Sequence, residues 1–283
     1  MINYYLLLTK PGIIFGNLVT VMAGFLLASK GQFQFGLFLS TILGLAFIMA
    51  SGCVFNNYID LEKDRLMKRT QNRPLVIGVI FEKQAIVFGL ALAIVGAIIL
   101  YFYTNFLTLV IAELGFIIYV FFYSIWKSRT VYGTAIGSLA GAVPPLVGYC
   151  AVSNQLDLGA FILFAMMVFW QMPHFFSIAI YRLQDYSAAN IPVLPLKKGI
   201  QIAKIRILLY IISFTLTSSL LTFFHFTGSL YLILTIGLGL TWLLMGLRGL
   251  KTSNDQQWAQ QMFRFSLVII SVLSLTIPFD LVN

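Results

Sequence analysis

The chain is 283 residues long, 60% hydrophobic and 10% charged, with a mean hydropathy of +0.94 and a formal net charge of +9. A soluble domain carries about one quarter charged residues, so this composition excludes a soluble globular protein and predicts an all-α, polytopic integral membrane protein. Cys53 and Cys150 lie inside apolar runs without metal-type spacing and read as small core residues.

A helix needs roughly 20 apolar residues to cross the hydrocarbon core. Such runs recur at 13–29, 35–58, 84–103, 106–126, 131–152, 159–181, 205–226, 229–247 and 262–279, predicting nine crossings and termini on opposite sides. The first run lacks a clear small-x-small cleavage site and reads as a helix rather than a signal peptide. Cytoplasmic loops retain Lys and Arg. An N-terminus inside and a C-terminus outside leaves only Lys30 of the 18 basic residues outside. The two long inner connections, 59–83 and 182–204, carry Asn72-Arg73-Pro74-Leu75 and Asn190-Ile191-Pro192-Val193-Leu194-Pro195, four helices apart. That likeness predicts one membrane-embedded domain over 1–283 with a faint four-helix repeat, about 13–126 and 131–247, followed by a ninth helix; the alternative is chance among proline-containing loops.

The stretch from Asn56 to Arg73 gathers acid, amide and base in an otherwise apolar chain. Read as a helix, Asn56, Asp60 and Asp64 recur every four residues and Asn57 lies three before Asp60, which predicts one oxygen-rich stripe. Oxygen ligands at this spacing suit Mg2+, which shares its shell with substrate phosphates, with Lys68, Arg69 and Arg73 placed to hold the anion. A solvated loop between two spans would carry the same mixed charge.

The fifth run places Gly133, Gly137 and Gly141 four apart before Pro144-Pro145. It predicts a bare face for a close helix neighbour or a flat substrate and a kink at the prolines. The sixth run contains Trp170-Gln171-Met172-Pro173-His174-Phe175-Phe176 and ends at Tyr181. An ionisable His174 at membrane depth points to the bundle interior and to function, although a histidine bonded to a neighbouring helix fits the same position.

Taken together these features resemble the UbiA superfamily of intramembrane prenyltransferases over nearly the whole chain. The family's Asn- and Asp-rich first motif with a downstream Arg-Pro is matched by Asn56, Asn57, Asp60, Asp64, Arg69, Arg73 and Pro74. Its Tyr-x-x-x-Lys element is matched by Tyr123 and Lys127. The second acidic motif, commonly Asp-x-x-x-Asp, here reads Tyr181 and Asp185, one carboxylate short. Pro173-His174-Phe175, Arg182, Asp185-Tyr186, Ile191 to Pro195, Gly137, Gly141, Pro144 and Pro145 resemble the haem-farnesylating branch.

The resemblance implies farnesyl diphosphate as donor, haem B as acceptor substrate and haem O as product, in a bacterial cytoplasmic membrane and with no nucleic-acid partner. It further implies transient contact with haem-copper oxidase assembly. Asn56, Asn57, Asp60, Asp64 and Asp185 would supply metal ligands for Mg2+, and Lys68, Arg69, Arg73, Tyr123, Lys127 and Arg129 would hold the diphosphate. His174, Tyr181 and Arg182 would meet haem; Asp60, Asp64, His174 and Asp185 would act in catalysis. Tyr123, Trp126 and Tyr181 are the aromatic candidates for stabilising an allylic cation. The rivals are a prenyltransferase acting on a quinone precursor, a secondary transporter, and a non-catalytic haem-assembly protein.

Overall fold

The computed structural model describes residues 1–282, and among them nine helices are long and apolar enough to cross a membrane. They are α1 (Pro11–Ser29), α2 (Phe35–Ile59), α3 (Glu82–Tyr103), α4 (Phe106–Trp126), α5 (Gly133–Ser153), α6 (Leu158–Tyr181), α7 (Ile200–Phe223), α8 (Ser229–Gly249) and α9 (Asp255–Phe279). The expected spans are all present. Two were drawn short at their starts, because α7 and α9 continue past the apolar run into a first turn bearing Lys204 or Asp255. The buried Lys204 ammonium pairs with Asp255, so the charges that end the two apolar runs satisfy each other between the helices.

α2 packs along α3, α1 along the second half of α5, and α6 against both α7 and α9, while α9 also touches α1. α5 and α6 are the most deeply buried spans. The approach of α1 to α5 depends on missing side chains: a Cβ at Gly24 would lie 2.0 Å from the Pro145 carbonyl oxygen, and one at Gly148 would lie 2.1 Å from that of Val21. Removing bulk from both helices lets their backbones touch.

Two irregularities shape the interior. α5 breaks at Ala142, with Pro144 in the first turn of the segment Val143–Ser153, as the proline pair predicted. Toward its end α4 widens into a π turn over Ile118–Tyr123, which no sequence signal announced. The two long connections fold into short helices, Leu61–Leu66, Leu183–Ala188 and Leu194–Lys198, and meet at one end of the bundle. Met67, Ala189 and Ile191 form a small apolar cluster between them, and Lys63 Nζ donates to the Ala189 carbonyl at 3.0 Å.

Candidate active site

α2 ends at Ile59 and a short helix starts at Leu61, but the hydrogen-bond ladder does not lose register there. The Asp60 N–H donates to the Asn56 carbonyl at 3.0 Å and the Asp64 N–H to the Asp60 carbonyl at 2.8 Å. Asn56, Asp60 and Asp64 therefore stay in one row, as the four-residue spacing required. All three are buried and face one charged cavity of ≈ 390 Å³.

Each of these three oxygen donors carries one cation. Lys10 Nζ donates to Asn56 Oδ1 at 2.5 Å, Lys127 pairs with Asp60, and Arg73 pairs with Asp64. Burial pushes the Asp64 carboxyl above the usual carboxylate range, with the Arg73 charge opposing that shift. Burial likewise draws the Lys10 ammonium down to about 8, partly offset by the negative charge of Asp60. Arg69, Lys63 and Arg182 complete the basic lining, so six cationic side chains face two carboxylates. That surplus suits a polyanionic ligand.

A second, mostly apolar cavity of ≈ 680 Å³ adjoins the charged one. Tyr119, Tyr123, Phe175, Ile178 and Phe263 line both, so the two are continuous. The rings of Tyr119 and Tyr123 stack at 5.5 Å at this junction, and Lys127 Nζ lies 5.0 Å from the centre of the Tyr123 ring. Gly137 makes room for that ring, since a Cβ there would sit 2.9 Å from it, and a Cβ at Gly141 would strike Gln171 Oε1 at 2.0 Å. The bare face of α5 thus receives side chains, and Gly137 and Gly141 also border the apolar cavity.

His174 lines the apolar cavity between Trp170 and Phe263, whose rings lie 4.8 and 4.9 Å away. Its Nδ1 is 2.7 Å from Ser266 Oγ, and Ser266 gives its single hydroxyl proton to the Phe263 carbonyl at 2.6 Å. The Ser266 oxygen therefore accepts from His174. With the proton on Nδ1, neutral imidazole carries its free lone pair on Nε2. Trp170 Nε1 donates to the Ser266 carbonyl at 3.0 Å, so two residues one turn apart on α6 grip one residue of α9.

Not every expected site residue reaches these cavities. Asn57 turns away, its amide donating to the carbonyls of Leu8 and Cys53, each at 2.9 Å. On a helix it lies about 100° from Asn56, outside a narrow row. Lys68 and Arg129 are solvent-exposed and off the cavity walls. Asp185 is also off the walls, its carboxylate 3.9 Å from Arg69 Nε. Trp126 packs on Phe122 at 6.3 Å and is 48% exposed. Tyr181 and Arg182 do line the charged cavity, with the Arg182 guanidinium 4.5 Å over the Tyr181 ring. Sequence reasoning missed Lys10, Lys63 and Tyr119, and gave Tyr186, quoted only within a motif, no role. Lys10 had one signal, a cation directly ahead of Pro11 at the mouth of the first span.

A sequence profile described as the UbiA prenyltransferase family matches residues 17–268. A protein named Protoheme IX farnesyltransferase from Protochlamydia amoebophila (strain UWE25) is 98% identical over 283 residues, covering 100% of both chains. Another of that name, from Yersinia pseudotuberculosis serotype O:1b (strain IP 31758), is 50% identical and covers 99% of this chain and 95% of its own. Among solved structures, digeranylgeranylglyceryl phosphate synthase aligns with TM-score 0.82 at 21% identity, covering 98% of this chain and 97% of that one. A UbiA homologue from Archaeoglobus fulgidus bound to GPP and Mg2+ aligns at 0.72 and 17%, over 98% and 99%. At such identities the likeness of these two structures concerns the fold alone. Sequence profile, full-length relatives and helix arrangement agree: the chain belongs to the UbiA prenyltransferase family.

Proposed function

We propose that the protein transfers the farnesyl group of farnesyl diphosphate to a vinyl group of haem B, with addition of water, giving haem O and diphosphate. The observation that carries this reading is the junction of a cationic cavity with a larger apolar one bordered by His174. A prenyl diphosphate needs both environments at once, and full-length relatives named Protoheme IX farnesyltransferase supply the acceptor.

The residues present fit a hard divalent cation. Asn56 through Oδ1, and Asp60 and Asp64 through their carboxylates, turn oxygen to the cavity, and their pairing with Lys10, Lys127 and Arg73 supports a row that stabilises positive charge. These three would hold Mg2+, which when bound helps neutralise the departing diphosphate. Arg73, Lys127, Lys10 and Arg69 grip the phosphate oxygens, Arg through its planar fork and Lys as a point charge. Breaking the allylic carbon–oxygen bond leaves its electron pair on the diphosphate. The stacked faces of Tyr119 and Tyr123 then favour the farnesyl cation by about 0.5–2 kcal/mol each.

The vinyl π electrons form the new carbon–carbon bond, and water adds at the vinyl carbon next to the macrocycle, giving one proton to the released diphosphate and leaving the hydroxyl. His174 orients the acceptor through its unprotonated Nε2, the ring nitrogen suited to haem iron. Asp185 serves by holding Arg69 between the two cytoplasmic connections. The basic residues of those connections support a cytoplasmic position for them and for the N-terminus.

Incubation of the purified protein with haem B, farnesyl diphosphate and Mg2+ tests the reaction. A haem product heavier by one farnesyl group plus the elements of water, and absent with a chelator, is expected. Unchanged haem alongside prenylated quinone precursor would transfer the assignment to a different acceptor.

A further inference from the structure

The Asn56 amide has two ends, and each neighbour dictates which end it meets. Lys10 Nζ carries only donors and lies 2.5 Å from Oδ1, so that atom must be the oxygen. On the other side Ser124 Oγ lies 2.9 Å from Nδ2. The Ser124 proton is committed to the Tyr119 carbonyl at 3.0 Å, so its oxygen accepts and the Asn56 atom facing it must be the NH2. Both neighbours independently require the same orientation.

That line of hydrogen bonds starts in the π turn. Over Ile118–Tyr123 the ladder shifts by one residue, and the Ser124 N–H bonds the Tyr119 carbonyl five positions back. The N–H and O–H of Ser124 therefore converge on one carbonyl, which fixes where its oxygen lone pairs point. Ser124 is buried and forms no part of either cavity wall. Its reach into the site runs through Asn56.

We propose that Ser124, anchored by the π turn, is a positioning residue that locks the Asn56 amide with its oxygen toward the charged cavity and so sets the affinity for metal and diphosphate. A freely rotating Asn56 would spend part of its time presenting NH2 to Lys10 and to any bound cation, which repels both. The inference rests on the assignment of Asn56 to the metal–diphosphate site made above.

The test is a double-mutant cycle read by Mn2+ binding, using electron paramagnetic resonance with the unreactive analogue farnesyl thiodiphosphate present. Ser124→Ala is expected to weaken Mn2+ about three- to tenfold, the range for one lost hydrogen bond. Asn56→Ala weakens it at least as much, and the double variant is no worse than Asn56→Ala, because one residue acts through the other. Ser124→Thr, which keeps the hydroxyl, stays within about twofold of the parent on this scale. Ser124→Cys, a weaker acceptor of similar size, behaves like Ser124→Ala and carries the test should the alanine variant fail to fold. Haem affinity, followed by the Soret band, stays unchanged in all.

Additive losses, or a parallel loss of haem affinity, would show a merely structural serine and overturn the proposal. Weakening by Asn56→Ala but not by Ser124→Ala would overturn the positioning alone. Unchanged Mn2+ affinity in Asn56→Ala would remove the site assignment and the proposal with it.

Discussion

At the scale of residues, the row Asn56, Asp60, Asp64 places one cation on each oxygen donor. Removing either carboxylate takes away a proposed metal ligand and leaves a buried cation without its partner. Asp60→Ala and Asp64→Ala are each expected to lower turnover by about 10²-fold or more while the protein still inserts and folds. Steady-state kinetics on the purified variants, with circular dichroism as the folding control, check this; near-normal activity in either would remove the metal assignment. The row was legible in the sequence because helical spacing fixes direction within one element. Lys10 was not, because its partner is 46 positions away and spacing reports nothing across such a gap. Lys68 and Arg129 were named from loops, where neighbouring residues share no face, and both proved exposed.

At the scale of elements, the site depends on close helix contacts and on departures from regular helix. The prolines at 144 and 145 announced the break in α5, since proline cannot continue the ladder of the preceding turn. The π turn in α4 carried no such mark; Ile118–Tyr123 is an ordinary apolar string, and its widened turn is read only from backbone hydrogen bonds. Gly137 was expected to meet a helix or a flat ligand, and it meets the Tyr123 ring. Gly137→Ala therefore displaces a ring at the cavity junction, with kcat expected to fall about tenfold, within the range for small misplacements. A kcat within about twofold of the parent would mean that the position of the Tyr123 ring does not matter. Gly24→Ala is harsher, because its Cβ meets the Pro145 backbone carbonyl rather than a movable side chain. An overpacking cost of about 1–3 kcal/mol is expected, seen as a lower unfolding midpoint in detergent; an unchanged midpoint would mean that α1 and α5 part easily.

At the scale of the whole molecule, nine apolar spans and their order were plain from composition and run length, and the fold follows them. The meeting of the two long connections was only suggested by their shared Asn and Pro. It is built by Lys63 on Ala189, Arg69 facing Asp185, and the cluster around Met67, contacts that sequence order does not encode. The crowding of basic residues on one side gives a topological expectation: a reporter active only in the cytoplasm works when fused at the N-terminus and fails at the C-terminus. The reverse result would place both connections, and the charged cavity with them, outside the cell.

On the proposed reading the charged cavity holds the diphosphate, while the apolar cavity takes the farnesyl chain and, beside His174, the haem. Paired binding measurements on Asp64→Ala and His174→Ala test this most directly, with farnesyl thiodiphosphate titrated in the presence of Mg2+ and haem B followed by its Soret band. A crossed pattern is predicted: Asp64→Ala loses the diphosphate analogue and keeps haem, whereas His174→Ala keeps the analogue, shifts the Soret band and weakens haem. Equal loss of both ligands in both variants would contradict the division and reduce His174 to a structural bond between α6 and α9.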